Sequence, residues 1–596
     1  MDPTPISTPG GPDRSSLADL YARLRVVNES IKDATGMVFA CTSNMRYAKH
    51  QHDTPEKQLL AQATTLKRHL EGEQKLLRES IDKHAKSRMG TTNICDMPEE
   101  ILSEIFTYLR GRVCREQSVD FVCKNYSNKE IKNIRLACRV FCRASSHLLF
   151  NSITVRMEET SLEALEYISR HPDFNASIRG IRASLTTYSN VLGGNIDLFI
   201  RYHIKQMRKE CKRLDGIREW KAVEQEMKKA NFIINSWENL VGKPRSYFSA
   251  VPREAHYQRI LRDAHGKYVD KLYYQEDSRL DRSFVCRVAA AISRMPNVSR
   301  LEICSGNWMD NVGTLFDTLR QDEILERSLL LPLTWEEGAM HANTVEPLEM
   351  LHELPRAIYA ASGQPRCLAF RVPITSDWRH LAQTVEQTRG LAAASQGLEI
   401  LDFSLKAVDR RAWMPQPRNI EEIEDLVVFS DALLDTRSLR CLRLDFRHLW
   451  LAFGITNEVA PIFSLGPLIS NRSWPRLEEI TLGHLSIDLK ELKSFARNLP
   501  DGVALWMRSP HLLSGKWEWA LDLLREHFEG YLTLEKPSGA ECDTLPWLEK
   551  DSIFERRVRK PQSLTGNVQQ SLAEMYVSGA INDNPLRPPG QENADG

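Results

Sequence analysis

The chain has 596 residues, more than one hydrophobic core organises, which points to roughly three or four folded units. Hydrophobic residues make up 42% and charged residues 27%, ordinary usage for a globular chain. The 79 Lys and Arg balance 79 Asp and Glu, so no global field draws the molecule to nucleic acid or to a membrane. The opening MDPTPISTPGGPDRSS has neither a basic n-region nor an apolar h-region. No apolar run approaches the ~18 residues that a membrane span requires. A reducing compartment, cytoplasm or nucleus, is the expectation, with most of the twelve Cys acting as small buried hydrophobes.

Residues 1–15 read as a disordered Pro/Gly/Ser tail. Within 16–90, Leu17, Leu20, Leu24, Val27 and Ile31 step by three and four, a heptad seam. Leu59, Ala63, Leu66, Leu70, Leu77 and Ile81 form a second, opened by Asp53-Thr54-Pro55, a good helix start. The two seams are expected to bury each other as a helical hairpin or coiled coil, or across a self-associated pair.

The segment 93–155 opens on MPEEILSEIFTYL. Pro98 suits a helix start, and Glu99 and Glu100 favour the positive end of the helix dipole. Ile101, Leu102, Ile105, Phe106 and Leu109 then make a broad apolar stripe. A polar stretch, 111–127, separates this helix from KEIKNIRLACRVFCRASSHLLF, where Ile131, Ile134, Ala137, Cys138, Phe141, Ala144 and Leu148 continue at helical spacing. A module of roughly fifty residues this apolar should leave part of its surface for a partner to cover.

From 156 to 535 the rhythm changes to helix, Pro-containing turn and strand. The strand half recurs with apolar residues at i, i+3 and i+5: Ile178/Ile181/Ala183, Val298/Leu301/Ile303, Leu398/Leu401/Phe403, Leu439/Leu442/Leu444 and Leu477/Ile480/Leu482. Leu368/Phe370 and Leu505/Met507 are degenerate members. The last two apolar residues of each unit sit two apart on a strand and face one side, while the first turns the chain in from the helix. One unit cannot bury its own apolar face, so stacked units are expected to share one core as a curved solenoid. Helix IEEIEDLVVFSDALL offers Ile423, Leu426, Val427 and Leu433 as inward residues. A generic α/β domain with Leu-rich strands is the alternative.

An insertion at about 200–283 reads as a long charged helix, and 201–270 holds sixteen Lys and Arg against nine Asp and Glu. It is a solvated face with i,i+4 ion pairs, or its basic excess holds phosphate or an acidic partner, with nucleic-acid binding as a lesser alternative. Trp517, Leu521, Leu524 and Phe528 belong to a closing helix. The remainder, 536–596, reads as an extension that is largely flexible beyond 561, with a short basic run at ERRVRKP.

The pair MPEEILSEIFTYL and IRLACRVFCRASSHLLF resembles an F-box, and the whole layout resembles fungal F-box proteins with degenerate leucine-rich repeats. Pro98, Glu100, Ile101, Leu102, Ile105, Phe106 and Leu109 match the first half of the motif; Arg135, Leu136, Cys138, Arg139 and Phe141 match the second. Met97 stands where Leu is usual, and 111–127 carries about a dozen inserted residues. The resemblance implies an α+β or α/β solenoid chain: a helical hairpin, a three-helix F-box and an irregular repeat array. It also implies a non-catalytic subunit of an SCF ubiquitin ligase. Pro98, Ile101, Leu102, Ile105, Phe106, Leu109, Leu136, Cys138, Phe141 and Leu148 would contact the Skp adaptor or hold the helices that do. Cullin and RING subunits would follow through the adaptor, and the repeats would hold a protein target for ubiquitination and proteasomal degradation. Arg440, Arg443, Asp445 and Arg447 are the candidate target-reading residues. A scaffold that never transfers ubiquitin is the rival reading.

Catalytic signatures are missing: the sequence has no G-x-x-x-x-G-K-[ST], H-E-x-x-H or G-x-S-x-G. Cys114, Cys123, Cys138 and Cys142 lack the paired spacing of a zinc site. No enzyme activity, cofactor, metal or membrane partner is expected.

Overall fold

The computed structural model describes residues 17–47, 55–88, 94–109, 129–149, 151–215, 220–244, 246–305, 321–333, 335, 347–373, 381, 383–406, 420–446, 464, 466–555 and 570–587. The expected tail 1–15, the insertion 111–127, Arg447, Cys114 and Cys123 lie outside them. Two compact units, Met1–Leu102 and Ser103–Gly596, divide the chain.

In the first unit, α1 (Leu17–Tyr47) and α2 (Pro55–Arg88) pair within one chain. Leu20 and Val27 share a cluster with Leu77 and Ile81, flanked by Leu24 and Ile31, so the helices run antiparallel. The Gln74 amide donates to Asn28 Oδ1 at 2.6 Å beside that seam. The predicted second seam is only half engaged. Ala63, Leu77 and Ile81 are buried, but Leu59 is 54% and Leu66 46% exposed.

The second unit mixes helices with a nine-stranded sheet. Its strands are β1 (Ser152–Arg156), β2 (Gly180–Ser184), β3 (Arg300–Cys304), β4 (Cys367–Pro373), β5 (Ile400–Lys406), β6 (Cys441–Asp445), β7 (Glu479–Gly483), β9 (Ala504–Arg508) and β11 (Tyr531–Glu535). Two short strands, β8 (Ser486–Ile487) and β10 (His511–Leu512), pair separately. Every neighbour in the large sheet is parallel, and the order follows the chain. Parallel neighbours need a crossover, and here helical segments supply it.

The register explains the sequence rhythm. One row across the sheet reads Ile153, Ile181, Leu301, Leu368, Leu401, Leu442, Ile480, Leu505 and Leu532. The row two residues on reads Val155, Ala183, Ile303, Phe370, Phe403, Leu444, Leu482, Met507 and Leu534. Strand alternation turns both rows to one face, where they join Leu162, Val288, Leu354, Leu391, Leu426, Phe429, Leu433, Phe495 and Leu524 from helices in a single cluster. The leading residues Ile178, Val298, Leu398, Leu439 and Leu477 are buried there as well. Each such aliphatic side chain contributes about 1.5–3 kcal/mol of transfer free energy. Buried Trp residues carry their indole N–H to backbone carbonyls: Trp517 to Ser538 at 2.8 Å, Trp474 to Leu434 at 3.4 Å, and Trp335 to Leu185.

Three expectations are corrected. The strand array begins at β1, inside the segment 93–155, because Ile153 and Val155 extend the two apolar rows. The insertion is not one charged helix. Helices Ile196–Asp215, Trp220–Glu238, Pro252–Leu280 and Asp322–Leu329 bury a separate core that includes Phe199, Ile233, Trp237, Leu261, Tyr268 and Leu325. The stretch 570–587, expected to be flexible, forms a helix, Leu572–Val577, whose Ala573, Tyr576 and Val577 enter the main cluster. Among the described residues no helix is long and apolar enough to cross a membrane.

Candidate functional site

Three helices carry the residues singled out in 93–155: α3 (Glu99–Leu109), α4 (Lys129–Ala137) and α5 (Arg139–Ser146). Pro98 precedes α3, and its carbonyl accepts the N–H groups of Ile101 and Leu102, each at 3.1 Å. At 100° per residue, Ile101, Ile105, Leu109, Leu102 and Phe106 span an arc of roughly 140°. That arc splits. Leu102 is fully buried and Phe106 is 3% exposed, whereas Ile101 is 51% and Leu109 55% exposed, with Ile105 half-buried between them. Tyr108, 78% exposed, borders the open half and had no role in the sequence reading, although it falls seven residues after Ile101.

The expected continuous run from Ile131 to Leu148 is broken at Cys138, whose φ of −160° and ψ of 169° are extended. Cys138 therefore ends one helix and caps the next: its Sγ accepts the Phe141 N–H at 3.4 Å. Sulfur is a weak acceptor, so this cap is weak. The break turns Phe141, half-buried, against Phe106 with ring centroids 5.1 Å apart. Ser103 Oγ and His147 Nε2 lie 3.0 Å apart and tie α3 to the end of α5. Ile131, Ala144, Leu148 and Leu149 are buried, but Leu136 is 85% exposed. Phe106, Phe141 and Leu148 thus build the module, whereas Ile101, Leu109 and Leu136 present apolar surface.

The candidate target-reading residues divide differently. Arg443 and Asp445 alternate with buried Leu442 and Leu444, so they occupy the sheet face away from the apolar rows. Arg440 is not with them. It precedes β6 and is three residues, an odd number, from Arg443; its guanidinium pairs with Glu478 at 2.9 and 3.1 Å. On the outward face, His484 Nδ1 meets Asp445 Oδ1 at 3.0 Å.

Further along that face, Arg182 lies 3.1 Å from Glu302, and Arg371 reaches both Glu302 at 4.0 Å and Asp402 at 3.4 Å. Glu302 and Asp402 are nearly fully buried. Burial pushes the Asp402 carboxyl above its usual range despite its Ser404 and Arg371 partners. Trp506 and Tyr531, which the sequence reading passed over, stand on the same face of β9 and β11 with ring centroids 5.8 Å apart. Strand parity could have found them, because each alternates with buried Leu or Met.

Among the described residues no group of three or more His, Cys, Asp or Glu gathers as a metal ion would require. Chemically, the arrangement offers an exposed aliphatic stripe on a packed helical module and a charged sheet face. No protein-family model, curated protein or solved structure matches the chain.

Proposed function

We propose that the chain is the non-catalytic substrate-recognition subunit of an SCF ubiquitin ligase. Its 93–149 helices act as an F-box that docks the Skp adaptor. The sheet and its helices act as an irregular leucine-rich repeat array that holds a protein target. Cullin and RING subunits join through the adaptor. The receptor contributes proximity: it keeps an acceptor lysine near the ubiquitin thioester and raises its effective concentration.

The observation that carries this reading is the split helix α3. Its inner half packs Phe106 against Phe141, while Ile101 and Leu109 remain more than half exposed. Aliphatic side chains kept on the open side of a helix offer apolar surface that a partner's pocket can bury. The test is co-purification of full-length chain with recombinant Skp adaptor, comparing wild type with Ile101→Ser plus Leu109→Ser. Loss of adaptor with unchanged circular dichroism supports docking through the stripe, and retention removes the proposal.

A second reading is an adaptor-bound scaffold that self-associates and transfers no ubiquitin. Leu59, Leu66 and Leu76, exposed along α2, favour it. It predicts adaptor without cullin in the purified complex, and no protein that accumulates when the stripe is disrupted.

A further inference from the structure

The inserted helices carry a surface that neither the adaptor stripe nor the sheet face uses. The sequence KPRSYFSAVPREAHYQRILR, residues 243–262, has five Lys and Arg against one Glu. Here the connection into helix Pro252–Leu280 turns outward and leaves Tyr247, Phe248 and Val251 38%, 39% and 49% exposed. Rings and cations are interleaved: Lys243 lies 5.6 Å from the Tyr247 centroid, and Arg262 and Arg259 lie 4.7 and 5.7 Å from that of Phe248. Arg253 covers Phe232 at 4.7 Å.

This surface is held in place. Gln258, fully buried, accepts the Ser249 N–H at 2.8 Å and donates to Ser236 O at 3.0 Å. Ser249 Oγ donates to Glu254 at 2.7 Å, which occupies the one carboxylate of the stretch. Arg262 donates to Pro244 O at 2.9 Å and closes the loop on the helix. Elsewhere on the insertion several cations pair with acids: Arg208 with Glu238, Lys229 and His256 with Asp322, Lys267 with Glu326. Lys243, Arg253 and Arg259 stand over rings instead, exposed to solvent.

We propose that this basic and aromatic surface docks an acidic segment of a partner protein, its carboxylates pairing with Lys243 and Arg259 and an apolar side chain lying on Tyr247 and Val251. Arg and aromatic residues at a rigid, partly apolar patch are the composition of protein-binding hot spots. A single-stranded nucleic acid fits less well. Stacking needs a free ring face, and two guanidinium groups already approach Phe248. The inference goes beyond adaptor docking and stands whether or not that docking occurs.

The test is fluorescence anisotropy with the full-length chain and three labelled probes: a short peptide of repeating Glu-Asp-Leu, its charge-reversed Lys-Arg-Leu counterpart, and an oligo-dT. Wild type should bind the acidic peptide, weakening with added salt, and ignore the basic one. Lys243→Glu plus Arg259→Glu should weaken binding by roughly tenfold or more, and should shift preference toward the basic peptide. The milder Lys243→Ala plus Arg259→Ala removes two exposed cations and should weaken it at an unchanged melting temperature. The proposal is overturned if the acidic peptide fails to bind or binds no better than the basic one. It is overturned equally if both variants retain wild-type affinity, or if oligo-dT binds more tightly than the acidic peptide and is released by the same substitutions.

Discussion

Phe106 of α3 and Phe141 of α5 meet edge to face, their centroids 5.1 Å apart and their planes inclined by 70°. Such pairs add about 0.5–1.5 kcal/mol beyond the area they bury. Phe106→Ala should therefore cost about 3–5 kcal/mol of local stability, read as lost amide protection in α3 and α5. Ile101→Ser, on the open side of the same helix, should change stability by no more than about 0.5 kcal/mol. Equal losses from the two would show that both halves of the apolar arc are structural.

Arg371 bridges two carboxylates that are nearly fully buried, Glu302 and Asp402. Removing one member of a buried charge network leaves its partners uncompensated, at about 3–5 kcal/mol. Arg371→Met should lower the unfolding free energy measured in urea by that order at neutral pH. The deficit should shrink on acidification, because the folded-state Asp402 carboxyl is already raised by burial and takes up its proton more readily than in the unfolded chain. A deficit that does not change with pH would contradict this account.

His203 sits inside the inserted helices, its pKa held down at about 3 by burial and by neighbouring His265. The unfolded chain binds a proton near the ordinary value of 6.5, so between 6.5 and 3 it holds more protons at this site than the folded chain. Stability is therefore complete above that window and falls with pH through it, by at most about 1.4 kcal/mol per unit. His352, lowered to about 4 by burial and by Arg356 and Arg282, acts in the same direction. The melting temperature should drop from pH 7 to pH 5, and His203→Leu should remove much of that drop.

Besides the apolar contacts of Ala573, Tyr576 and Val577, the helix Leu572–Val577 reaches the edge strand through one polar side chain. Glu574, almost fully buried, accepts the N–H of Leu534 on the edge strand at 3.1 Å and that of Ser571 at 3.0 Å. Glu574→Ala orphans both donors at about 1–3 kcal/mol each. The Leu534 amide should then exchange at least tenfold faster, while amides in β4 and β5 keep their protection.

The repeat strands were legible because i, i+3, i+5 spacing has one mechanical use, and Leu442 and Leu444 fill it as expected. The inserted core was hidden because Lys and Arg are interspersed among its apolar residues, although Phe199, Met207 and Cys211 fall on a four-residue spacing, with His203 between them, along one helix. The tail 570–587 was read from its Gly, Asn and Pro content, which obscured the Ser571–Glu574 capping box. At the candidate site, periodicity found the apolar arc of α3 but could not divide it. Whether Phe106 or Leu109 turns inward depends on where α4 and α5 lie, and Cys138 sets their angle by breaking a run whose spacing alone looked continuous.

The most direct test of the central claim is size-exclusion chromatography of full-length chain mixed with purified Skp adaptor, run beside the Ile101→Ser plus Leu109→Ser variant. A single early peak holding both proteins, resolved into two by the variant, is the predicted result. Two separate peaks for wild type, or a shared peak that survives the substitutions, would contradict docking through the exposed stripe of α3.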